Sequence, residues 1–127
     1  MKFYIGSGFK NAELVNEFSK KIQSHGWEHT FNWTKYISEY ETIEDLIKYS
    51  ELEQKGIEQA DAVIIILPAG RGTHIELGMA IALNKKIYLY SNQKEEFDIE
   101  NTVNFYQIPS IQRIVGDIDY AIKEITK

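Results

Sequence analysis

Apolar positions along the chain switch between two rhythms, one of alternate or continuous runs and one of helical spacing. "KFYI" is a short aliphatic and aromatic run stopped by "GSG", which predicts a strand and a glycine turn. "NAELVNEFSKKIQSHG" then sets Leu14, Val15, Phe18 and Ile22 at helical spacing, with Gly26 as the stop. "WEHTFNW" reads as a second strand. A polar, Tyr-rich connection leads to "TIEDLIKYSELEQKGIEQA", a long helix that Thr42 opens with Asp45 three residues on. "AVIIIL" is apolar on both faces, as a central parallel strand covered by helices on each side must be. "THIELGMAIALNKK" predicts a helix ending at Asn84, and "IYLY" the strand after it. Beyond the irregular "SNQKEEFDIENTVNFYQIPS", "IQRIV" predicts a last strand. The closing helix is "DIDYAIKEIT", with Ile118, Ala121, Ile122 and Ile125 on one stripe.

Strands alternating with helices specify an α/β fold with a parallel sheet and right-handed crossovers. The expected version is a flavodoxin-like (Rossmann-like) three-layer sandwich of five strands with helices on both faces. No repeat, low-complexity tract or Pro/Gly/Ser linker interrupts the pattern, so residues 1–127 are read as a single domain. Ligands of open sheets bind beyond the carboxyl ends of the strands, near the reversal of strand order. That places "GSGF" and "PAGRGTH" on one rim.

Composition narrows the function classes. A net charge of −5 argues against a nucleic-acid polymer as partner, since polyanion binding draws on clustered Lys and Arg. No apolar run reaches the ~20 residues of a membrane span, and "MKFYIGSGF" lacks the apolar core of a signal peptide, so a cytoplasmic protein without membrane partners is expected. The chain has no Cys, and its three His are scattered, which leaves no spacing for a metal centre and removes thiolate chemistry.

Two carboxylates stand out. Thr73-His74-Ile75-Glu76 fits a capping box, and by local pattern alone Glu76 reads as a cap; its place on the ligand-binding rim also suits a carboxylate kept ionised by a helix amino end, as a nucleophile must be. In the helix from Thr42, the stripe Ile43, Leu46, Ile47, Ser50 and Ile57 includes Glu53, a charge on a face expected to be buried, which is costly unless paired or set at a cleft. Gly70 and Gly72 suit either a tight turn with positive φ or the close approach of an anionic ligand to a helix amino end.

"QADAVIIILPAGRGTHIELGMAIALNKKIYLY", together with "FYIGSGF" and "ELEQKGIEQAD", resembles the core of the nucleoside 2-deoxyribosyltransferase family, which includes deoxynucleoside 5'-monophosphate N-glycosidases. The resemblance implies a flavodoxin-like fold, a homodimer or higher homo-oligomer, and no cofactor. It implies that the Glu of "ELG", here Glu76, attacks C1' of a deoxyribosyl group. An acid eight residues before Asp61, here Glu53, would assist the leaving base, and paired carboxylates are how glycosidic bonds are cut through a covalent intermediate. Gly6, Ser7, Gly8, Pro68, Gly70 and Gly72 then line the sugar and base pocket, Trp33 or Tyr36 offers a stacking surface, and Asp61 is a structural acid at the strand start.

Two departures bear on substrate. Family transferases carry an acid in the loop before the nucleophile to hold the sugar 5'-hydroxyl, whereas "PAGRG" has Arg71, which suits a phosphate. An Asn contributed by a neighbouring subunit has Asn101 and Asn104 as candidates, and Asn104 is the one carried into the expected site. The implied function is transfer of deoxyribose between bases in nucleotide salvage. Hydrolysis of a nucleoside 5'-monophosphate and a non-catalytic nucleotide-binding module are the alternatives. The expected ligand is a small-molecule nucleoside or nucleotide.

Overall fold

The two rhythms resolve into nine regular elements in the computed structural model, which describes residues 1–127: β1 (Lys2–Gly6), α1 (Ala12–Gln23), β2 (Glu28–His29), α2 (Ile43–Gln59), β3 (Ala62–Ile66), α3 (Arg71–Ala82), β4 (Lys86–Ser91), β5 (Gln112–Val115) and α4 (Ile118–Thr126). All strand pairs are parallel and the sheet order is β2-β1-β3-β4-β5. The chain steps outward from β1 to β2 and then returns to the other side of β1, so the order reverses between β1 and β3. The α/β flavodoxin-like sandwich expected from the sequence is the fold observed. Helices α1 and α4 pack together on one face, α2 and α3 on the other.

Every residue of β3 is buried, as its unbroken aliphatic run requires for a strand covered on both sides. Capping fixes the ends of α2 and α4. The Thr42 hydroxyl accepts from the Asp45 N–H (3.0 Å), the Asp45 carboxylate accepts from the Thr42 N–H (3.1 Å), and Asp117 accepts from the Tyr120 N–H (2.8 Å). The α3–β4 connection turns through Asn84, whose φ of 56° is the left-handed conformation that Asn tolerates. Asp61 is structural, accepting from the Lys2 N–H at 2.8 Å. No helix is long and apolar enough to cross a membrane.

Two expectations change. The strand read across "WEHTFNW" is two residues long, and the chain then leaves the sheet edge into a 3₁₀ turn, Trp33–Glu39, because the Asn32 side chain accepts from the Thr34 N–H and starts a turn. The stretch between β4 and β5 is irregular, as its sequence suggests, and two 3₁₀ turns, Lys94–Phe97 and Asn104–Gln107, make the crossover. The stripe on α2 is inward only in its second half. Tyr49, Gly56 and Ile57 are buried, whereas Ile43, Leu46 and Ile47 are 73%, 47% and 54% exposed. Gly56 sets this contact: a Cβ there would lie 3.0 Å from Phe31 Cβ and 3.1 Å from a Tyr4 ring carbon, so the helix presses on the sheet at this turn.

Candidate active site

The floor of the rim is the end of β1. Gly6 is buried and bare for a reason of space: a Cβ would stand 3.0 Å from Glu76 Oε1 and 3.0 Å from Ile65 Cδ1. Ser7 is clamped, its hydroxyl donating to the Ile66 carbonyl and accepting from Asn11 Nδ2, both at 2.8 Å. With its proton committed to Ile66, Ser7 presents mainly backbone to the cleft.

The wall opposite is the amino end of α3, and it is not capped as the sequence suggested. Gly70 is the capping position and has no side chain, Thr73 is the third helical residue, and Glu76 lies beyond the first turn. The Thr73 hydroxyl accepts from the Gly70 N–H at 3.3 Å, while the first helical bond runs from the His74 N–H to the Gly70 carbonyl (3.1 Å). No side chain caps the N–H groups of Arg71, Gly72 and Thr73, all of which line the cleft. Nor do Gly70 and Gly72 serve positive φ: Gly70 has φ −88°, and only Gly26 and Gly116 among the glycines have positive φ. A Cβ at Gly70 or Gly72 would meet nothing within 4 Å. What glycine provides here is open space above bare backbone.

Released from capping, Glu76 is free for chemistry. It is 8% exposed, and its Oε2 accepts a hydrogen bond from the Tyr4 hydroxyl. Its pKa is raised to about 8, chiefly by burial, with the Tyr4 donor pulling the other way and the neighbouring Glu53 adding to the rise. Glu53, half-buried on the inward turn of α2, lines the same cleft as Glu76 and accepts from the Tyr40 hydroxyl at 2.6 Å. Burial first, and the carboxylates beside them, push the Tyr4 and Tyr40 phenols up, so both stay protonated donors.

An aromatic wall completes the site. Phe9, half exposed, stacks on Trp33 with ring centroids 5.5 Å apart and meets the edge of Tyr40 at 5.2 Å. Trp33 is held by a hydrogen bond from its indole N–H to the Ile5 carbonyl (2.8 Å). The resulting cleft, about 370 Å³, brings together Ser7, Gly8, Trp33, Glu53, Gly70, Arg71, Gly72 and Glu76. An uncapped helix amino end, Arg71, three aromatic rings and two acids line this one cleft.

Other expected residues stand elsewhere. Pro68 and Asn104 are exposed and outside the lining of the cleft, as is Asn101, while Tyr36 stacks between Phe31 (5.5 Å) and Tyr49 (5.6 Å). No group of three or more His, Asp or Glu side chains is gathered as a metal cage. Tyr4, Phe9 and Tyr40 were not singled out from the sequence. A signal existed for Tyr4, since it shares a strand face with Gly6 at spacing two, and a phenol in a strand buried on both sides needs a partner.

The family model for nucleoside 2-deoxyribosyltransferase matches residues 3–114. Among solved structures, the CMP N-glycosidase BcmB of Clostridium botulinum is similar over 98% of this chain and 97% of its own, with a TM-score of 0.68 and 19% identity. The 2-deoxyribosyltransferase of Bacillus psychrosaccharolyticus is similar over 80% of each chain, with a TM-score of 0.64 and 24% identity. No curated protein matches the sequence. The matched segment runs from β1 into β5 and contains both acids, both glycine turns and the aromatic wall; the chain belongs to the nucleoside 2-deoxyribosyltransferase family.

Proposed function

We propose that this protein cleaves the N-glycosidic bond of a nucleoside 5'-monophosphate through a sugar covalently held on Glu76. The observation that carries the reading is that Glu53 and Glu76 line one cleft beside an uncapped helix amino end. The reaction needs two acids in one cleft, one to bond to C1' and one to give a proton to the leaving base. A Glu76 oxygen bonds to C1' as the C1'–N bond breaks, and the bond's electron pair leaves on the base nitrogen, which takes the Glu53 proton. Water then gives a proton to Glu53, bonds to C1' and frees Glu76.

The phosphate has a matching place. The N–H groups of Arg71, Gly72 and Thr73, the positive end of the α3 dipole and the Arg71 side chain suit an anion, and no acid lies in the loop to hold a neutral 5'-hydroxyl. The base would lie against Phe9, Trp33 and Tyr40. Transfer of the sugar to a second base is the other reading, favoured by the family itself, and it differs only in what attacks the covalent sugar.

Incubation of the protein with nucleosides and their 5'-monophosphates, with and without a second free base, tests both. We expect free base and sugar phosphate, with kcat/KM roughly 100-fold higher for the monophosphate, as two charge-assisted hydrogen bonds would give. Glu76→Gln should lower kcat by at least about 1000-fold. A new nucleoside formed only when the second base is present would move the assignment to transfer. Nucleotide binding with no turnover by wild type would leave a binding module.

We also infer a homo-oligomer. Ile43, Leu46 and Ile47 on α2 are exposed, as are Ile75 and Leu83 on and just after α3, and an apolar hollow of about 510 Å³ runs along α3 beside Phe105. A second copy of this chain is the occupant that the family resemblance implies. Light scattering behind a sizing column should give at least twice the mass of one chain at micromolar concentration; a monomer throughout would remove the inference.

A further inference from the structure

We infer that Tyr40 is a positioning residue that aims the Glu53 proton at the leaving base, an assignment that rests on the carboxyl-pair reading above. A carboxylic acid has one oxygen that carries the proton and one that only accepts. The Tyr40 hydroxyl donates to Glu53 Oε2 at 2.6 Å, which makes Oε2 the accepting oxygen and leaves the proton to Oε1. Without that donor either oxygen can carry the proton, and half of the resulting arrangements point it away from the substrate.

The phenol is itself held in place. Its ring lies flat on Tyr49 (centroids 4.5 Å apart, planes at 14°) and meets Phe9 edge-on at 5.2 Å and 81°. Tyr49 is anchored in turn by donating to Glu39 Oε1 at 2.7 Å. The 3₁₀ turn Trp33–Glu39, which ends just before Tyr40, therefore does more than close the aromatic wall: it delivers a fixed donor to an acid on a different element. Because Phe9 touches Tyr40, a base resting on Phe9 also reports to the ring that orients Glu53.

When the C1'–N bond breaks, Glu53 becomes the anion, and the same hydroxyl then stabilises the charge until water returns a proton. The ionisable groups around Glu53 are Tyr40 from the turn, Glu76 from α3 and Tyr4 from β1, with Arg71 lining the cleft. Only Tyr40 donates to Glu53; Tyr4 donates to Glu76.

Tyr40→Phe keeps both ring contacts and removes the hydroxyl. With the nucleotide monophosphate as substrate, we expect kcat to fall roughly tenfold with KM changed less than twofold, the loss of one hydrogen bond to a charge formed during the reaction. In a Glu53→Gln background the same change should cost nothing more, since Tyr40 acts only through Glu53. Melting temperatures of all variants establish that they are folded. Wild-type kcat in Tyr40→Phe, a loss confined to KM, or an equal loss in the Glu53→Gln background would overturn the role of Tyr40 alone, provided wild type cleaves and Glu76→Gln does not. Wild type that cleaves no N-glycoside would overturn the carboxyl-pair reading and this inference with it.

Discussion

At the scale of single residues, the site depends on what glycine and tyrosine place around Glu76. Gly6 is the sharper case, because its missing side chain is the space that the carboxylate occupies. In Gly6→Ala the added methyl meets Ile65 Cδ1, a flexible tip that can give way, and Glu76 Oε1, which cannot move without altering its bonds to Tyr4 and its approach to Glu53. The expected outcome is uneven. Activity should fall by roughly 10- to 100-fold, as misplacement of a reacting group by a fraction of an ångström does. Stability should fall by about 1–2 kcal/mol, the ordinary cost of one extra methyl in a packed interior. Kinetics beside urea unfolding measure both, and full activity together with lost stability would mean that Gly6 does not place the carboxylate.

At the scale of elements, legibility followed how local each cause is. The strand "AVIIIL", the capped start at Thr42 and the stop at Asn84 are decided within a few residues of the chain, and each lies where the pattern puts it. The second strand was overread because "WEHTFNW" is β-prone by composition, while the turn that ends it depends on the Asn32 side chain finding Thr34. The α2 stripe was legible in its period but not in its extent: periodicity says which residues share a face and not how far the neighbouring sheet reaches. Glu53 was found on that stripe all the same, one turn before Gly56, where the helix presses on β1. Glu76 shows the reverse failure. "THIE" has the spacing of a capping box, yet the helix starts three residues earlier, at Gly70, so the same letters fall at different positions of the turn. Tyr40 was not legible at all, since its partner lies 13 residues away on another element and a Tyr in a Tyr-rich loop carries no period.

For the whole molecule, two buried ionisable groups on opposite faces of the sheet set the pH dependence of stability, and they act in opposite directions. His29 is packed against Phe3 at 4.5 Å, with Nδ1 on the Ser19 hydroxyl at 2.8 Å and Nε2 buried without a partner. Burial lowers its pKa to about 4, with Lys35 adding to the shift. Between pH 6.5 and 4 the unfolded chain therefore binds a proton that the folded chain refuses, and stability falls as pH drops through that window. Glu76, raised to about 8, is the converse: between the ordinary Glu value and pH 8 the folded chain keeps a proton that the unfolded chain has lost, so stability falls as pH rises. The two slopes oppose each other between about pH 4.5 and 6.5, and above 6.5 only the Glu76 slope remains. Urea unfolding from pH 4 to 8 should show a broad optimum near pH 5–6 and a loss on the order of 2 kcal/mol between pH 6.5 and 8. Glu76→Gln should abolish the alkaline loss and be more stable than wild type at pH 8, although the same change removes turnover. His29→Phe should flatten the acid side only. An alkaline slope that persists in Glu76→Gln would show that the buried Glu76 carboxyl is not what couples folding to pH.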